Sequence, residues 1–124
     1  MMSEKTVLII EDSEFNRRLV EAVLKPHGYR LLAAEDGEAG VALARSEQPD
    51  LILMDVLLPG IDGYEATRRL RADPETNRLV VVALTASASN EEQELALAAG
   101  CDGYIPKPID TRAFPQQIRQ FLQD

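Results

Sequence analysis

The chain has 124 residues, of which 45% are hydrophobic and 27% charged, and its formal net charge is -8. This length fits one domain, and the apolar fraction is too high for a disordered acidic tail. The negative charge argues against non-specific binding to DNA or anionic membranes, and no apolar run approaches the roughly 18 residues of a membrane span. Met1–Thr6 is too polar for a signal peptide, and the single cysteine, Cys101, indicates a cytoplasmic chain with a reduced thiol.

Five short apolar runs predict β-strands. The first, third and fourth are apolar without alternation, which is typical of strands that are covered on both faces. The second and fifth runs are shorter. In chain order, the predicted strands are Val7–Ile10, Leu31–Ala34, Leu51–Met54, Leu79–Leu84 and Tyr104–Ile105.

An amphipathic segment follows each of these runs and predicts a helix. The first helix is capped by Ser13 and closed by Pro26 and Gly28. Its residues at helical spacing form one apolar stripe, which consists of Phe15, Leu19, Val20, Val23 and Leu24.

The later helices are bounded by similar capping and breaking residues. The second is predicted to start at Asp36-Gly37 and stop near Pro49, and the third to run from about Tyr64 to Arg71. The fourth is predicted from an Asn90 cap to Ala99, before Gly100. The fifth should begin late, near Ala113 or Phe114, because Pro115 belongs in a first helical turn.

Regular alternation of strands and helices predicts an α/β fold. Right-handed crossovers would give a parallel sheet with helices on both faces. Ligands in such sheets bind outside the carboxyl ends of the strands. The residues directly after each apolar run are therefore the first candidates for a site.

Three acids, one hydroxyl and one amine follow the predicted strands: Glu11, Asp12, Asp55, Thr85 and Lys107. Carboxylates about 4 Å apart repel by about 4 kcal/mol at an effective dielectric near 20, so the three acids need a cation or shifted pKa values. Hard oxygen ligands without histidine or cysteine favour Mg²⁺. An amine and a hydroxyl suit phosphate oxygens, and the group as a whole suits in-line phosphoryl transfer.

The sequence resembles response-regulator receiver domains over essentially its whole length. The segments that carry the resemblance are VLIIEDSEFNRRLVEAVL, PDLILMDVLLPGIDGYEATRRLR, VVALTASA and GCDGYIPKPI. The resemblance implies a flavodoxin-like, doubly wound sheet of five parallel strands in the order 2-1-3-4-5, with five helices. The EDSEFN and GCDGYIPKPI stretches look more like single-domain cell-cycle regulators or hybrid-kinase receivers than DNA-binding regulators.

The resemblance also implies a phosphoacceptor with a metal beside it. Asp55 would take the phosphoryl group from a histidine kinase or a histidine phosphotransfer protein. Asp12, Asp55 and the backbone carbonyl of Leu57 would bind Mg²⁺, and Glu11 would reach the metal through water. Leu57 and Ser87 occupy positions that tune dephosphorylation in the family.

Four further residues acquire roles by the same resemblance. Lys107 would contact the phosphoryl oxygens, Thr85 would move to bond one of them, and the backbone N–H of Ala86 would donate to another. Tyr104 would change rotamer together with Thr85. The Lys107-Pro108 bond is often cis in the family.

Other chemistry-bearing residues are given ordinary structural interpretations. No GxxxxGK[ST] or GxGxxG motif supports nucleotide binding. His27 is interpreted as a surface loop residue and Cys101 as a small buried hydrophobe. The solvated groups are predicted to be a basic face of Arg68, Arg69 and Arg71 and an acidic patch of Glu91, Glu92 and Glu94.

The resemblance implies that the protein acts as a receiver. It would catalyse only its own phosphorylation and dephosphorylation and would not otherwise be an enzyme. Effector proteins would bind through helix 4, strand 5 and helix 5, with no direct contact to nucleic acid or membrane. Because the sequence ends at Asp124, directly after the fifth helix, we expect one receiver domain over residues 1–124 without an output domain.

Three alternatives remain open. The chain could be a receiver fragment of a hybrid kinase or larger regulator, or a pseudo-receiver that works without phosphate. A phosphohydrolase of the haloacid dehalogenase type would want a second Asp two residues after the nucleophile, where Leu57 stands.

Overall fold

The computed structural model describes residues 4–122, so that Met1–Ser3, Gln123 and Asp124 lie outside the described residues. Its strands are β1 (Thr6–Ile10), β2 (Arg30–Ala34), β3 (Leu51–Asp55), β4 (Val81–Thr85) and β5 (Gly103–Pro106). Its helices are α1 (Glu14–Leu24), α2 (Gly37–Glu47), α3 (Gly63–Ala72), α4 (Asn90–Ala99) and α5 (Phe114–Leu122). None of the helices in residues 4–122 has the length and apolar character needed to cross a membrane.

All five strands are parallel and lie in the order β2-β1-β3-β4-β5, which confirms the predicted fold. In the observed register, Asp55 lies opposite Leu84, and Thr85 lies opposite Pro106. The carboxyl ends of the central strands therefore meet at one edge of the sheet, where the loops that follow them come together.

The core consists of two apolar layers, one on each face of the sheet. Every residue of β1, β3 and β4 is buried, as predicted for strands covered on both sides. Leu8 and Ile10 pack on the face that α2, α3 and α4 cover, whereas Val7 and Ile9 pack toward α1 and α5. Alternate residues of one strand thus anchor helices on opposite faces.

Most predicted caps are confirmed. The side chains of Ser13 and Asp36 accept backbone N–H groups at the starts of α1 and α2, and Asp62, which was not predicted as a cap, does the same at the start of α3. The last helix begins at Phe114, as predicted from the position of Pro115, and the N–H of Phe114 donates to the carbonyl of Asp110.

Three local predictions were wrong. The cap of α4 is Ser89, whose side chain accepts the N–H of Glu92, and Asn90 is the first helical residue. The fourth strand begins at Val81 and not at Leu79, because the N–H of Leu79 closes a turn onto Thr76. Phe15 is 75% exposed and not part of the core stripe, since the first turn of α1 borders an open cavity next to Glu11 and Lys107.

Candidate functional site

The three predicted acids meet in a cleft at the carboxyl ends of the strands. Glu11 and Asp12 lie in the loop between β1 and α1, and Asp55 is the last residue of β3. Each acid offers one carboxylate oxygen, and these three oxygens all lie within 4.8 Å of one another. Glu11 and Asp55 are buried, whereas Asp12 is exposed at the mouth of the cleft. The structure therefore brings together the acids that the sequence had separated by more than forty positions.

Lys107 bridges two of these carboxylates. Its Nζ lies 3.1 Å from Oε1 of Glu11 and 3.0 Å from Oδ1 of Asp55. Burial alone would lower the pKa of Lys107, but the hydrogen bonds and charges of Asp55 and Glu11 outweigh it and hold that pKa above its ordinary value. Lys107 thus stays cationic in the cleft, and the Lys107-Pro108 bond that follows it is cis, as the resemblance implied.

The two oxygens of Asp55 differ in their surroundings. Oδ1 accepts hydrogen bonds from Nζ of Lys107 and from the backbone N–H of Leu57, at 3.0 and 3.2 Å. Within residues 4–122, Oδ2 accepts none, so one oxygen is held and the other is available to react. Leu57, whose N–H makes one of the bonds to Oδ1, is 72% exposed.

The hydroxyl of Thr85 is bonded within its own loop. It donates to the carbonyl of Ser87 at 2.9 Å and accepts the N–H of Ser87 at 3.2 Å. Ala86, between them, lines a cavity of about 350 Å³ next to Glu11 and Lys107. Thr85 therefore lies at the cleft but is not bonded to the acids in this structure.

Tyr104 is partly buried on β5, at the opposite side of β4 from the acids. It pairs in register with Ala83 and packs against the apolar layer under α2, α3 and α4. The structure thus places the predicted switch tyrosine on the strand next to Thr85, two residues back along the sheet.

Arg17 is a site residue that sequence reasoning missed. Its Nη1 donates to the backbone carbonyls of Glu11 at 2.8 Å and Asp12 at 3.1 Å. Its Nη2 forms an ion pair of 3.4 Å with Glu35, at the end of β2. Nothing in the local pattern separates Arg17 from its neighbour Arg18, so the contact could be found only in the folded structure.

Arg71 is predicted to be solvated, but it makes contacts with other parts of the chain. Arg71 donates to the carbonyls of Leu79 and Gly100 at 2.6 and 2.8 Å and pairs with Asp102 at 2.9 Å. The basic face therefore includes only Arg68 and Arg69, which are exposed.

Glu92 is not a solvated member of the predicted acidic patch, since its Oε2 accepts a hydrogen bond from the hydroxyl of Tyr64. Burial, followed by the bond to Glu92, raises the pKa of Tyr64 well above its ordinary value. The two remaining interpretations are confirmed: His27 is exposed in a short turn after α1, and Cys101 is buried. Burial raises the pKa of the Cys101 thiol, which makes it unreactive.

The donor set fits a hard divalent cation. Three carboxylate oxygens without a neighbouring histidine or cysteine are the ligands that Mg²⁺ prefers. Their mutual repulsion, which Lys107 offsets only in part, would be relieved by a second positive group. The arrangement can therefore hold a cation and a phosphoryl group around one carboxylate.

The sequence profile of the response regulator receiver domain matches residues 7–119. The chain belongs to this family. The resemblance and the two-component signalling class are thereby confirmed, and receiver domains are signalling proteins and not classical enzymes. Receiver domains bind Mg²⁺ at an acidic pocket and interact with histidine kinases or histidine phosphotransfer proteins.

Three relatives place this receiver among known proteins. The polar-differentiation response regulator DivK of Brucella anthropi is 38% identical over 120 residues, which cover 97% of this chain and 98% of DivK. The receiver domain of the sensor histidine kinase PA1611 from Pseudomonas aeruginosa, solved with a magnesium ion in its active-site cleft, superposes with a TM-score of 0.88. It is 35% identical, and the match covers 97% of this chain and 98% of that one.

The third is a co-crystal structure from Saccharomyces cerevisiae. It contains the histidine phosphotransfer protein Ypd1 and the receiver domain of its downstream response regulator Ssk1. The match has a TM-score of 0.89 and 29% identity, and it covers 98% of this chain and 90% of that one.

Proposed function

We propose that this receiver takes a phosphoryl group from a phosphohistidine onto Asp55 and thereby changes a surface that a partner protein recognises. The observation that carries the proposal is the bridge from Nζ of Lys107 to both Glu11 and Asp55 beside the exposed Asp12. A cation, an amine and a buried carboxylate with one free oxygen are the components of in-line phosphoryl transfer.

Each residue of the cleft has a distinct role in that step. Oδ2 of Asp55 attacks phosphorus as the bond to the donor's histidine nitrogen breaks, while Lys107 exchanges its contact with Asp55 for a phosphoryl oxygen. Asp12, Asp55 and the carbonyl of Leu57 would hold Mg²⁺, and Glu11 would reach it through water. When bound, Mg²⁺ supplies charge that offsets the developing negative charge on the phosphoryl oxygens.

The response is a shift between two arrangements of the β4–α4 region. The added phosphoryl charge draws the hydroxyl of Thr85 away from Ser87, with the N–H of Ala86 as a second donor, and Tyr104 follows. Partners that bind this arrangement better then respond to phosphorylation. Exposed apolar side chains on α4, Leu95 at 44% and Leu97 at 61%, support a protein effector that binds across α4, β5 and α5.

The donor is a histidine kinase or a histidine phosphotransfer protein in the cytoplasm. The cavity beside Lys107 is bordered by Phe15, Leu19 and Ile109, so that an apolar surface adjoins the reacting carboxylate. A donor that delivers a phosphohistidine to Asp55 would contact this surface. The receiver domain extends over residues 1–124 and passes the signal by contact with other proteins.

The test is phosphorylation by acetyl phosphate, which needs no protein donor. With Mg²⁺ the protein should gain the mass of one phosphoryl group, and borohydride reduction with peptide mapping should locate it at Asp55. Asp55→Asn and chelation with EDTA should each abolish the gain. Asp62→Asn is the matched control, because it makes the same change near the cleft and asparagine still caps α3. Continued phosphorylation of Asp55→Asn would refute the assignment.

A further inference from the structure

Two adjacent arginines of α1 have opposite environments. The side chain of Arg17 is 13% exposed, whereas that of Arg18 is 76% exposed and, within residues 4–122, pairs only with Glu14 along the helix. The Nη1 of Arg17 donates to the backbone carbonyls of Glu11 and Asp12, which form the loop after β1. One guanidinium nitrogen thus holds both peptides of the acidic loop.

The two acids depend on this contact to different degrees. Glu11 has other anchors: its N–H donates to Ala34 at 3.0 Å, and its carboxylate accepts from Ser13 and Lys107. The carboxylate of Asp12 is exposed and has no hydrogen-bond partner within residues 4–122. Its position beside the other acids is therefore fixed through its backbone, and Arg17 is the side chain that holds that backbone.

We infer that Arg17 is a positioning residue for divalent-cation binding at the acidic cluster. It does not touch the cation; it fixes the peptides from which Glu11 and Asp12 extend. Mg²⁺ demands near-ideal ligand geometry, and groups that orient its ligands typically contribute about 10- to 100-fold to metal affinity. The inference rests on the proposed function, because it presumes that the cluster binds a cation.

The direction of the change in Mg²⁺ affinity distinguishes a positioning role of Arg17 from an effect of its charge. Removing a positive charge beside three carboxylates makes the local potential more negative, and on charge alone this would strengthen cation binding. Loss of positioning weakens binding. A variant without the guanidinium therefore gives opposite results for the two explanations.

The experiment is calorimetric titration of the unphosphorylated protein with MgCl₂, at a temperature where circular dichroism shows each variant to be folded. Arg17→Met retains the aliphatic stem and should weaken Mg²⁺ binding about tenfold or more. Arg18→Met removes the same charge from the exposed neighbour and should stay within about twofold of the wild type. Arg17→Lys keeps donors at the end of the side chain and should recover part of the loss.

The outcomes are distinguishable. If Arg17→Met binds Mg²⁺ as tightly as the wild type or more tightly, the positioning role is overturned while the metal site stands. If the wild type itself shows no saturable Mg²⁺ binding, the metal-dependent function fails and the inference with it. Should Arg17→Met not fold, Arg17→Gln with Arg18→Gln as control makes the same comparison.

Discussion

The hydroxyl of Tyr64 at the start of α3 donates a hydrogen bond of 2.5 Å to Oε2 of Glu92 in the first turn of α4. The N–H of Glu92 donates to the hydroxyl of Ser89, and the N–H of Ser89 donates to the hydroxyl of Ser87. Ser87 in turn exchanges two hydrogen bonds with Thr85. A continuous series of hydrogen bonds therefore joins the proposed switch residue to the contact between α3 and α4.

Tyr64→Phe tests the hydrogen bond at the α3 end of this series through the pH dependence of the free energy of unfolding. At neutral pH the variant should lose about 1 kcal/mol of stability, the usual net contribution of one hydrogen bond. The raised pKa of Tyr64 keeps its proton bound in the folded state above about pH 10, where the unfolded state releases it. Wild-type stability therefore falls there by a contribution that the phenylalanine variant lacks.

Urea unfolding at pH 7 and at about pH 11 measures the difference. The deficit of Tyr64→Phe relative to the wild type should shrink at the higher pH. A deficit that is the same at both values would contradict the prediction. Tyr29→Phe, at a tyrosine on the opposite face of the sheet, is the matched control.

Thr85→Val tests the other end. The substitution conserves the shape of a side chain that is 3% exposed and removes the hydroxyl that bonds Ser87. We expect Asp55 still to accept phosphate from acetyl phosphate, while the phosphorylation-dependent NMR shifts of the Glu92 amide are largely lost. Thr76→Val is the control, because its buried hydroxyl bonds Leu70 away from the cleft. Wild-type shifts in Thr85→Val would mean that the signal takes another route.

Arg71 should be important for stability and not for phosphorylation. Arg71→Met leaves the carbonyls of Leu79 and Gly100 without their donor and the carboxylate of Asp102 without its cation. Losses of this kind typically sum to about 2–3 kcal/mol. Urea unfolding should show that decrease for Arg71→Met and less than about 0.5 kcal/mol for the exposed Arg69→Met. Equal stability of the two variants would refute the role of Arg71.

Phe15 should distinguish a protein donor from a small one. Because the side chain is 75% exposed, Phe15→Ala should leave stability and the rate of phosphorylation by acetyl phosphate unchanged. Transfer from the histidine kinase that phosphorylates the wild type best, found by profiling the host's kinases, should slow by about tenfold or more, as for a contact at the centre of an interface. An unchanged rate with that kinase would place the docking surface elsewhere.

The sequence predicted the features that follow from the residue pattern of a single strand or helix and of the residues directly after it. Consecutive apolar residues identified β1, β3 and β4, and the polar residues that follow them identified the cleft, because parallel strands end at one edge. Helical spacing alone could not predict the exposure of Phe15, since it indicates which residues share a face but not whether another element covers them.

Contacts between elements could not be predicted from a single charged residue. The sequence around Arg17 and Arg71 does not distinguish these arginines from their exposed neighbours, and Glu92 resembles the other acids of α4. Their partners lie outside their own helices, for example in the loops that contain the carbonyls of Glu11 and Leu79. Only the folded arrangement decides which of several surface charges turns inward.

Gly63 places the start of α3 directly against the end of β3. A Cβ at this position would collide with the backbone carbonyl of Asp55 and would lie 2.8 Å from Cα of Val56. Alanine would otherwise favour the helix by about 1 kcal/mol, so steric overlap and helix propensity act in opposite directions. Because the overlap is with backbone, which cannot rotate away, we expect Gly63→Ala to be destabilised by about 2 kcal/mol or more and to displace Asp55.

Two measurements test this prediction. The free energy of unfolding in urea and the rate of phosphorylation by acetyl phosphate should both fall in Gly63→Ala. Gly28→Ala is the control, since no atom of residues 4–122 lies within 4 Å of its Cβ position while its φ of +82° disfavours alanine. It should lose about 1 kcal/mol from backbone strain and keep the wild-type phosphorylation rate. If Gly63→Ala kept that rate as well, the contact between α3 and Asp55 would matter for packing alone.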